Sequence, residues 1–176
     1  MEITYRRMVL EECDKIKEIN PEHYIGKAWR LVNGMRQLVL IDYLEKDWPN
    51  GYEEHYDSLR KTLRTNGTAF GAFDTNNRLL GFATIDLNLF GERYKYALLD
   101  QMFISKECRS MGIGKKLFWL CADEARQQKA DKIYICAGSA EDTIAFYFAI
   151  GCLEAAEINK TLYESDPRDY QLEYTL

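Results

Sequence analysis

The stretch Arg109-Ser110-Met111-Gly112-Ile113-Gly114 stands between a long strand pattern, about 95–104, and an amphipathic helix pattern, about 112–129. In that helix Ile113, Leu117, Leu120 and Cys121 share one stripe, while Lys116, Asp123 and Gln127 share the opposite one. A helix start leaves its first backbone N–H groups unpaired and carries partial positive charge. Glycines let the backbone come close to a ligand. The turn is therefore suited to an anion such as a pyrophosphate, and Lys115 and Lys116 add positive charge beside it. Two common phosphate loops do not match. The dinucleotide fingerprint needs glycine where Leu117 stands, and the Walker A loop needs it where Arg109 stands. Two glycines at this spacing arise about once by chance in a chain of this length, and an Arg or Gln at the first position lowers that to roughly 0.1.

Downstream, Ile133-Tyr134-Ile135-Cys136-Ala137 is a continuous apolar run, the pattern of a central strand buried on both faces. With the strand at 95–104 it completes a β-α-β unit. Ser139-Ala140-Glu141-Asp142 reads as a capping box, Ser139 at N-cap and Asp142 at N3, opening a helix that ends at Gly151. Strands near 153–158 and 169–176 follow. Upstream, residues 3–8 read as a strand, and a short helix with Ile16 and Ile19 ends before Pro21. Asn33-Gly34 between apolar runs predicts a hairpin within 28–42. Tyr52, Tyr56, Leu59 and Leu63 predict a helix capped by Asn66-Gly67. Strands at 68–73 and 79–87 join through Asp74-Thr75-Asn76-Asn77. The expectation is one mixed α/β (α+β) domain over residues 1–176, without repeats or linkers.

The 176 residues are 47% apolar and 29% charged, with a net charge of -5. That balance argues against a nucleic-acid binder and favours a cationic small partner. The five cysteines, Cys13, Cys108, Cys121, Cys136 and Cys152, form no Cys-x-x-Cys and read as reduced core thiols. His23 and His55 are too far apart for a local metal pair, so no metal is expected. No apolar run approaches a membrane span and no signal-peptide pattern opens the chain, so a reducing cytoplasm is the expected location.

The pattern Arg-x-x-Gly-x-Gly after a strand resembles the acetyl-CoA signature of the GNAT superfamily of N-acetyltransferases. Thr143-Ile144-Ala145-Phe146-Tyr147-Phe148-Ala149-Ile150-Gly151-Cys152 resembles the family's second signature, with Cys152 in place of the usual Phe. The asparagine common at this helix start is replaced by Ala140 or Ser139. The likeness covers residues 68–176 well and the first 66 residues loosely, where the Asn33-Gly34 hairpin looks like an insertion. It implies a mostly antiparallel central sheet flanked by helices, with acetyl-CoA as cosubstrate.

The resemblance also implies roles. Arg109, Ser110, Met111, Gly112, Ile113, Gly114 and Lys115 would hold the pyrophosphate. Met102, Phe103 and Ile104 would pair their backbone with the pantetheine arm like an added strand. Ser139 and Phe146 would line the cofactor site, and Tyr147 would protonate the leaving thiolate. Asp100, a charge among apolar strand neighbours, is the candidate base, alone or through a water; alternation would put it on one face with Leu98, Met102 and Ile104. The acceptor, an amine of a small molecule or peptide, would enter between Asp100 and residues 24–56, with Trp29 and Tyr56 setting amine preference. Tyr24, Trp29, Tyr43 and Trp48 read first as a small core under the hairpin, and second as a pocket wall. Glu53 and Glu54 read as a solvated helix face. The competing expectation is a silent CoA-binding or sensing domain of the same fold. Neither nucleic acid nor membrane is an expected partner, and a homodimer is left open.

Overall fold

The computed structural model describes residues 2–176. β1 (Thr4–Arg7) leads to a 3-10 helix (Leu10–Glu18) that buries Cys13 and Ile16 and ends short of Pro21. β2 (His23–Val32) and β3 (Met35–Glu45) form a separate two-stranded ribbon. Its turn is Asn33-Gly34, with φ of 50° and 77°, the left-handed pair that a two-residue hairpin requires. The ribbon outruns the expected 28–42 because a bulge between Ile25 and Lys27 resets the register and pairing continues to His23 and Glu45.

α1 (Tyr52–Arg64) follows, then β4 (Gly67–Phe73), β5 (Leu79–Phe90) and β6 (Tyr96–Ile104). A 3-10 turn (Lys106–Cys108) precedes α2 (Ile113–Gln127). β7 (Lys132–Ala137), α3 (Glu141–Ala149), β8 (Leu153–Glu154), α4 (Lys160–Ser165) and β9 (Tyr170–Thr175) complete the chain. The main sheet runs β1-β4-β5-β6-β7-β9-β8, and β6–β7 is its single parallel pair. One face buries Ile113, Leu117, Phe118 and Cys121 of α2 and Ile144 and Tyr147 of α3. The other buries Ile16, Trp48 and Leu59 against Phe73 and Phe82.

Buried polar groups stitch these layers. Glu124 on α2 accepts from Arg7 at 2.6 Å and from Thr68 at 3.2 Å, tying α2 to β1 and β4. Glu173 on β9 accepts from Lys132 on β7 at 2.5 Å and from Tyr96 on β6 at 2.7 Å. Burial pushes the Glu173 carboxyl up, but the Lys132 and Tyr96 hydrogen bonds outweigh it and hold it below the ordinary glutamate value.

Several local expectations are corrected. Asn66-Gly67 does not cap α1; Thr65 does. Gly67 opens β4, where an added Cβ would lie 2.5 Å from the Thr62 methyl and 2.9 Å from the Thr62 carbonyl oxygen. The glycine answers a close approach of helix and strand, not a left-handed turn. The capping box at 139–142 is absent as well. Ala140 is the N-cap and makes no side-chain bond. Ser139 accepts from Arg30 at 2.5 Å and Asp142 pairs with His23 Nε2 at 2.8 Å, so the ribbon takes both side chains. The expected strand at 153–158 shrinks to two residues, because Asn159 caps the unforeseen α4 through Leu162 N. The front aromatics do not gather. Trp48 is buried beside Phe103, Trp29 packs edge-on to Tyr170, and Tyr24 and Tyr43 are exposed on the ribbon. Within α2, Phe118 is fully buried and Leu120 only partly.

Candidate active site

The site begins where two parallel strands part. β6 pairs with β7 from Tyr96–Lys132 to Leu99–Ile135 and no further. At that point the β5 register skips Asp100, since Ile85 opposes Leu99 and Thr84 opposes Gln101. A bulge of this kind bends a strand and increases its twist. From Gln101 to Ile104 the strand keeps its β5 ladder, while its β7-facing edge has no ladder partner. The bulge also changes which residues share a face, which corrects the alternation expected from sequence. Leu99, Met102 and Ile104 pack toward the α2–α3 core, whereas Asp100 accepts from Ser58 of α1 at 2.7 Å and Gln101 meets His55 of α1. Asp100 is exposed, so apolar burial is not what surrounds its charge.

A cleft of about 1340 Å³ occupies the splay. On the α2–α3 side it is lined by Arg109, Ser110, Gly112, Ile113, Gly114 and Lys115, and by Phe146 and Tyr147. Ser110 and Gly112 have φ of 64° and 80°, a left-handed turn that delivers the chain into α2. Gly112 is the N-cap and has no side chain to turn back on the helix. The first intrahelical bond closes at Lys116 N to Gly112 O, so the N–H groups of Ile113, Gly114 and Lys115 have no intrahelical acceptor. An added Cβ at Gly112 would meet nothing within 4 Å, so open space lies over the helix start. These features suit a phosphate-bearing ligand: free N–H groups, open space and an exposed lysine.

Arg109 lines the cleft and also braces its turn. Arg109 donates from Nε to Ile104 O and from Nη2 to Pro21 O, each at 3.2 Å, clasping the turn to the end of β6. Met111 is 46% exposed and lies outside the cleft lining, as does Ser139. Met102, Phe103 and Ile104 line the open edge. Phe146 packs over the first turn of α2, with its ring 3.4 Å from the Cβ position at Gly114. Tyr147 is buried, and burial pushes its phenol well above the usual range, with the neighbouring Cys152 and Cys121 adding to the rise. It therefore keeps its proton at any physiological pH.

The opposite side of the splay is formed by α1 with the segment before it, and by α4 with the loop after it. Glu45, Pro49, Asn50, Glu54 and His55 line it from the front half. His55 donates from Nε2 to Pro49 O at 2.7 Å, and its Nδ1 faces Gln101 Oε1 at 3.0 Å. Asp166 and Asp169 line it from the last loop. Sequence reading missed His55 and Asp169. A histidine on a helix and an aspartate after Pro167 carry no local mark of facing a cleft, because only long-range packing brings α1 and the last loop to β6. Glu54 is exposed, as a solvated helix face should be, yet it also faces the cleft. Trp29 and Tyr56 do not; Tyr56 stacks on Tyr52 and accepts from Arg60. No cluster suited to a metal ion exists among the described residues, and no helix among them is long and apolar enough to cross a membrane.

A parallel strand pair splayed at a bulge, beside a glycine-started helix, defines an acyltransferase fold of the GNAT type. The model of the acetyltransferase (GNAT) family matches residues 36–151, and the chain belongs to that family. Solved structures agree on the fold. Nourseothricin acetyltransferase superposes with a TM-score of 0.73 at 16% identity, covering 98% of this chain and 96% of the other. A protein assigned as a streptothricin acetyltransferase from Bacillus anthracis str. Ames, in complex with acetyl coenzyme A, gives 0.71 at 16%, covering 100% and 98%. A chain of the NatC complex bound to Gag peptide and CoA gives 0.66 at 16%, covering 100% and 99%. At these identities the likeness concerns the fold. No curated protein matches by sequence.

Proposed function

We propose that this chain, as one domain, moves an acetyl group from acetyl-CoA directly to a primary amine of a small molecule or peptide. The observation that carries the reading is the open edge of β6 at Asp100–Ile104, set between the capless start of α2 and Tyr147. The N–H groups of Ile113, Gly114 and Lys115 bind the pyrophosphate, and the β7-facing backbone edge along Met102, Phe103 and Ile104 pairs with the pantetheine amides. Acetyl-CoA supplies an activated thioester carbonyl. Tyr147, a protonated phenol, donates to the departing sulfur. Asp100 stands at the bulge as one carboxylate able to draw the acceptor's charge or, through a water, its proton. Glu45, Glu54 and Asp100 give the acceptor side a negative lining that suits a cationic amine.

The test is an acceptor panel with mass spectrometry and thiol release from acetyl-CoA. Gain of one acetyl group on an amine, with stoichiometric thiol, is the expected result. CoA binding without transfer to any amine would instead support a silent sensing domain. The reading includes a reducing cytoplasmic setting, in keeping with five free cysteines. It also includes a homodimer, supported by the free outer edge of β3, where Met35 is 63% and Leu40 78% exposed. Sedimentation as a monomer at micromolar concentration would remove that element.

A further inference from the structure

Among the carboxylates on the acceptor side of the splay, Asp100 and Asp169 differ in what holds them. Asp100 is exposed and bound by the Ser58 hydroxyl. Asp169 stands in the loop immediately before β9, half-buried, and its carboxyl makes no hydrogen bond among the described residues, although its backbone N–H donates to Asp166 O at 3.1 Å. It lines the same cleft as Tyr147. Both aspartates lie near the Cys136 thiol, which burial, then the Asp169 charge, push up to about 12, with Asp100 adding a smaller rise. Cys136 turns to Gln171 of β9, away from the Ile135 and Ala137 face that meets α2 and α3. Asp169 therefore sits on the side of the sheet opposite Tyr147, across the parting strands.

We infer, on the basis of the acetyl-transfer reading, that Asp169 is the catalytic residue that takes the proton from the acceptor ammonium. A half-buried carboxylate without a partner costs stability, and nothing in the packing of β9 calls for a charge there. Its surroundings give that charge a use. Burial lifts the Asp169 carboxyl to about 6, Asp166 adds to the rise, and Arg168 partly offsets it. A base is most effective when its pKa lies near the working pH, and an ordinary aspartate is too weak to draw a proton from an alkyl ammonium. The charged and titratable groups facing it are Asp166 and Arg168 on its own loop and Cys136 on β7.

The proton ledger closes without a further reagent. The ammonium gives one proton to the Asp169 carboxylate, and the freed lone pair bonds to the thioester carbonyl carbon. As the C–N bond forms the C–S bond breaks, and the Tyr147 hydroxyl protonates the sulfur. The nitrogen's remaining surplus proton returns to the Tyr147 oxygen through solvent, and Asp169 releases its proton to bulk water. The products are an acetamide, a free thiol and one proton.

The test compares the wild type with Asp169→Asn and Asp100→Asn, using two probe amines at high concentration. n-Butylamine is protonated at neutral pH and needs a base; hydroxylamine is largely neutral and does not. CoA affinity is measured by calorimetry on the same samples. The expected result is that Asp169→Asn loses n-butylamine turnover by about 10²-fold, keeps hydroxylamine turnover within about twofold, and binds CoA as the wild type does. Its rate with n-butylamine also loses the acid limb that the wild type shows near pH 6. An equal loss with both amines, or no loss with n-butylamine, overturns the assignment, as does the selective loss appearing in Asp100→Asn instead. Failure of the wild type to bind CoA would remove the acetyl-transfer reading, and the role of Asp169 with it.

Discussion

A single oxygen separates Tyr147 from phenylalanine, and its apolar surroundings push the phenol further above its ordinary value. Tyr147→Phe should leave CoA affinity unchanged and lower kcat by about 10²-fold, measured by thiol release at saturating acetyl-CoA. Gly112 holds φ of 80° over open space. Gly112→Val would force a β-branched residue into the left-handed region at about 1–3 kcal/mol and fill the space above the helix start. The expected outcome is loss of CoA binding by calorimetry, with the folded circular dichroism spectrum retained. Asp169 permits a check independent of turnover. Its pKa is raised on folding to about 6, from about 4 in the unfolded chain. Its charge therefore destabilises the fold increasingly as pH rises through that window, and the cost is absent in acid. Because solvent screens this partly exposed group, Asp169→Asn should gain only about 1 kcal/mol at pH 8 and nothing at pH 4, read from denaturant midpoints.

At the scale of elements, β6 carries two incompatible duties, and the bulge at Asp100 separates them. Before it the strand is an interior member of the sheet, bonded on both edges; after it one edge is released toward the cleft. The pairing that remains must hold the parting strands, and the Lys132–Glu173–Tyr96 cluster lies at that closed end. Lys132→Met would leave Glu173 buried and charged, at a cost of about 3–5 kcal/mol in denaturant unfolding. The β2–β3 ribbon is fastened near the start of α3 by three contacts: Trp29 N to Ser139 O, Arg30 to Ser139, and His23 to Asp142. It borders the cleft only at its base, through His23 and Glu45, and leaves its aromatic flank elsewhere. Amine preference is accordingly expected to shift with His55 and Glu54 rather than with Trp29 or Tyr56.

For the whole molecule, the distribution of charge matters more than the net value of -5. Lys115 lies at the phosphate end of the cleft, while Glu45, Glu54, Asp100, Asp166 and Asp169 line its acceptor side. Under the proposed acetyl transfer, such a field would draw a cationic amine toward one mouth and the anionic cofactor toward the other. The value of kcat/KM for the true amine should fall as ionic strength rises from about 0.01 to 0.15 M, over which the Debye length shortens from about 30 to 8 Å. A salt-independent kcat/KM would show that the acidic lining plays no part in capture.

The sequence alone determined whatever depends on neighbours a few residues apart. The apolar runs set the strands, the 3.6-residue stripe set α2, Asn33-Gly34 set a two-residue turn, and Gly112 set a helix start without a side-chain cap. That Tyr147 lines the cleft could be expected from a local motif on one helix. Tertiary structure decided what depends on distant partners. It placed the bulge that moves Asp100 off the face of Met102, a one-residue slip that no hydrophobic pattern marks. It drew Ser139 and Asp142 away from capping and into contact with the ribbon, since a side-chain oxygen bonds whichever donor comes near. It also brought His55 and Asp169, separated by more than half the chain, to one cleft. Local sequence holds no record of that approach, because burial and charge at a site arise from the packing of remote segments.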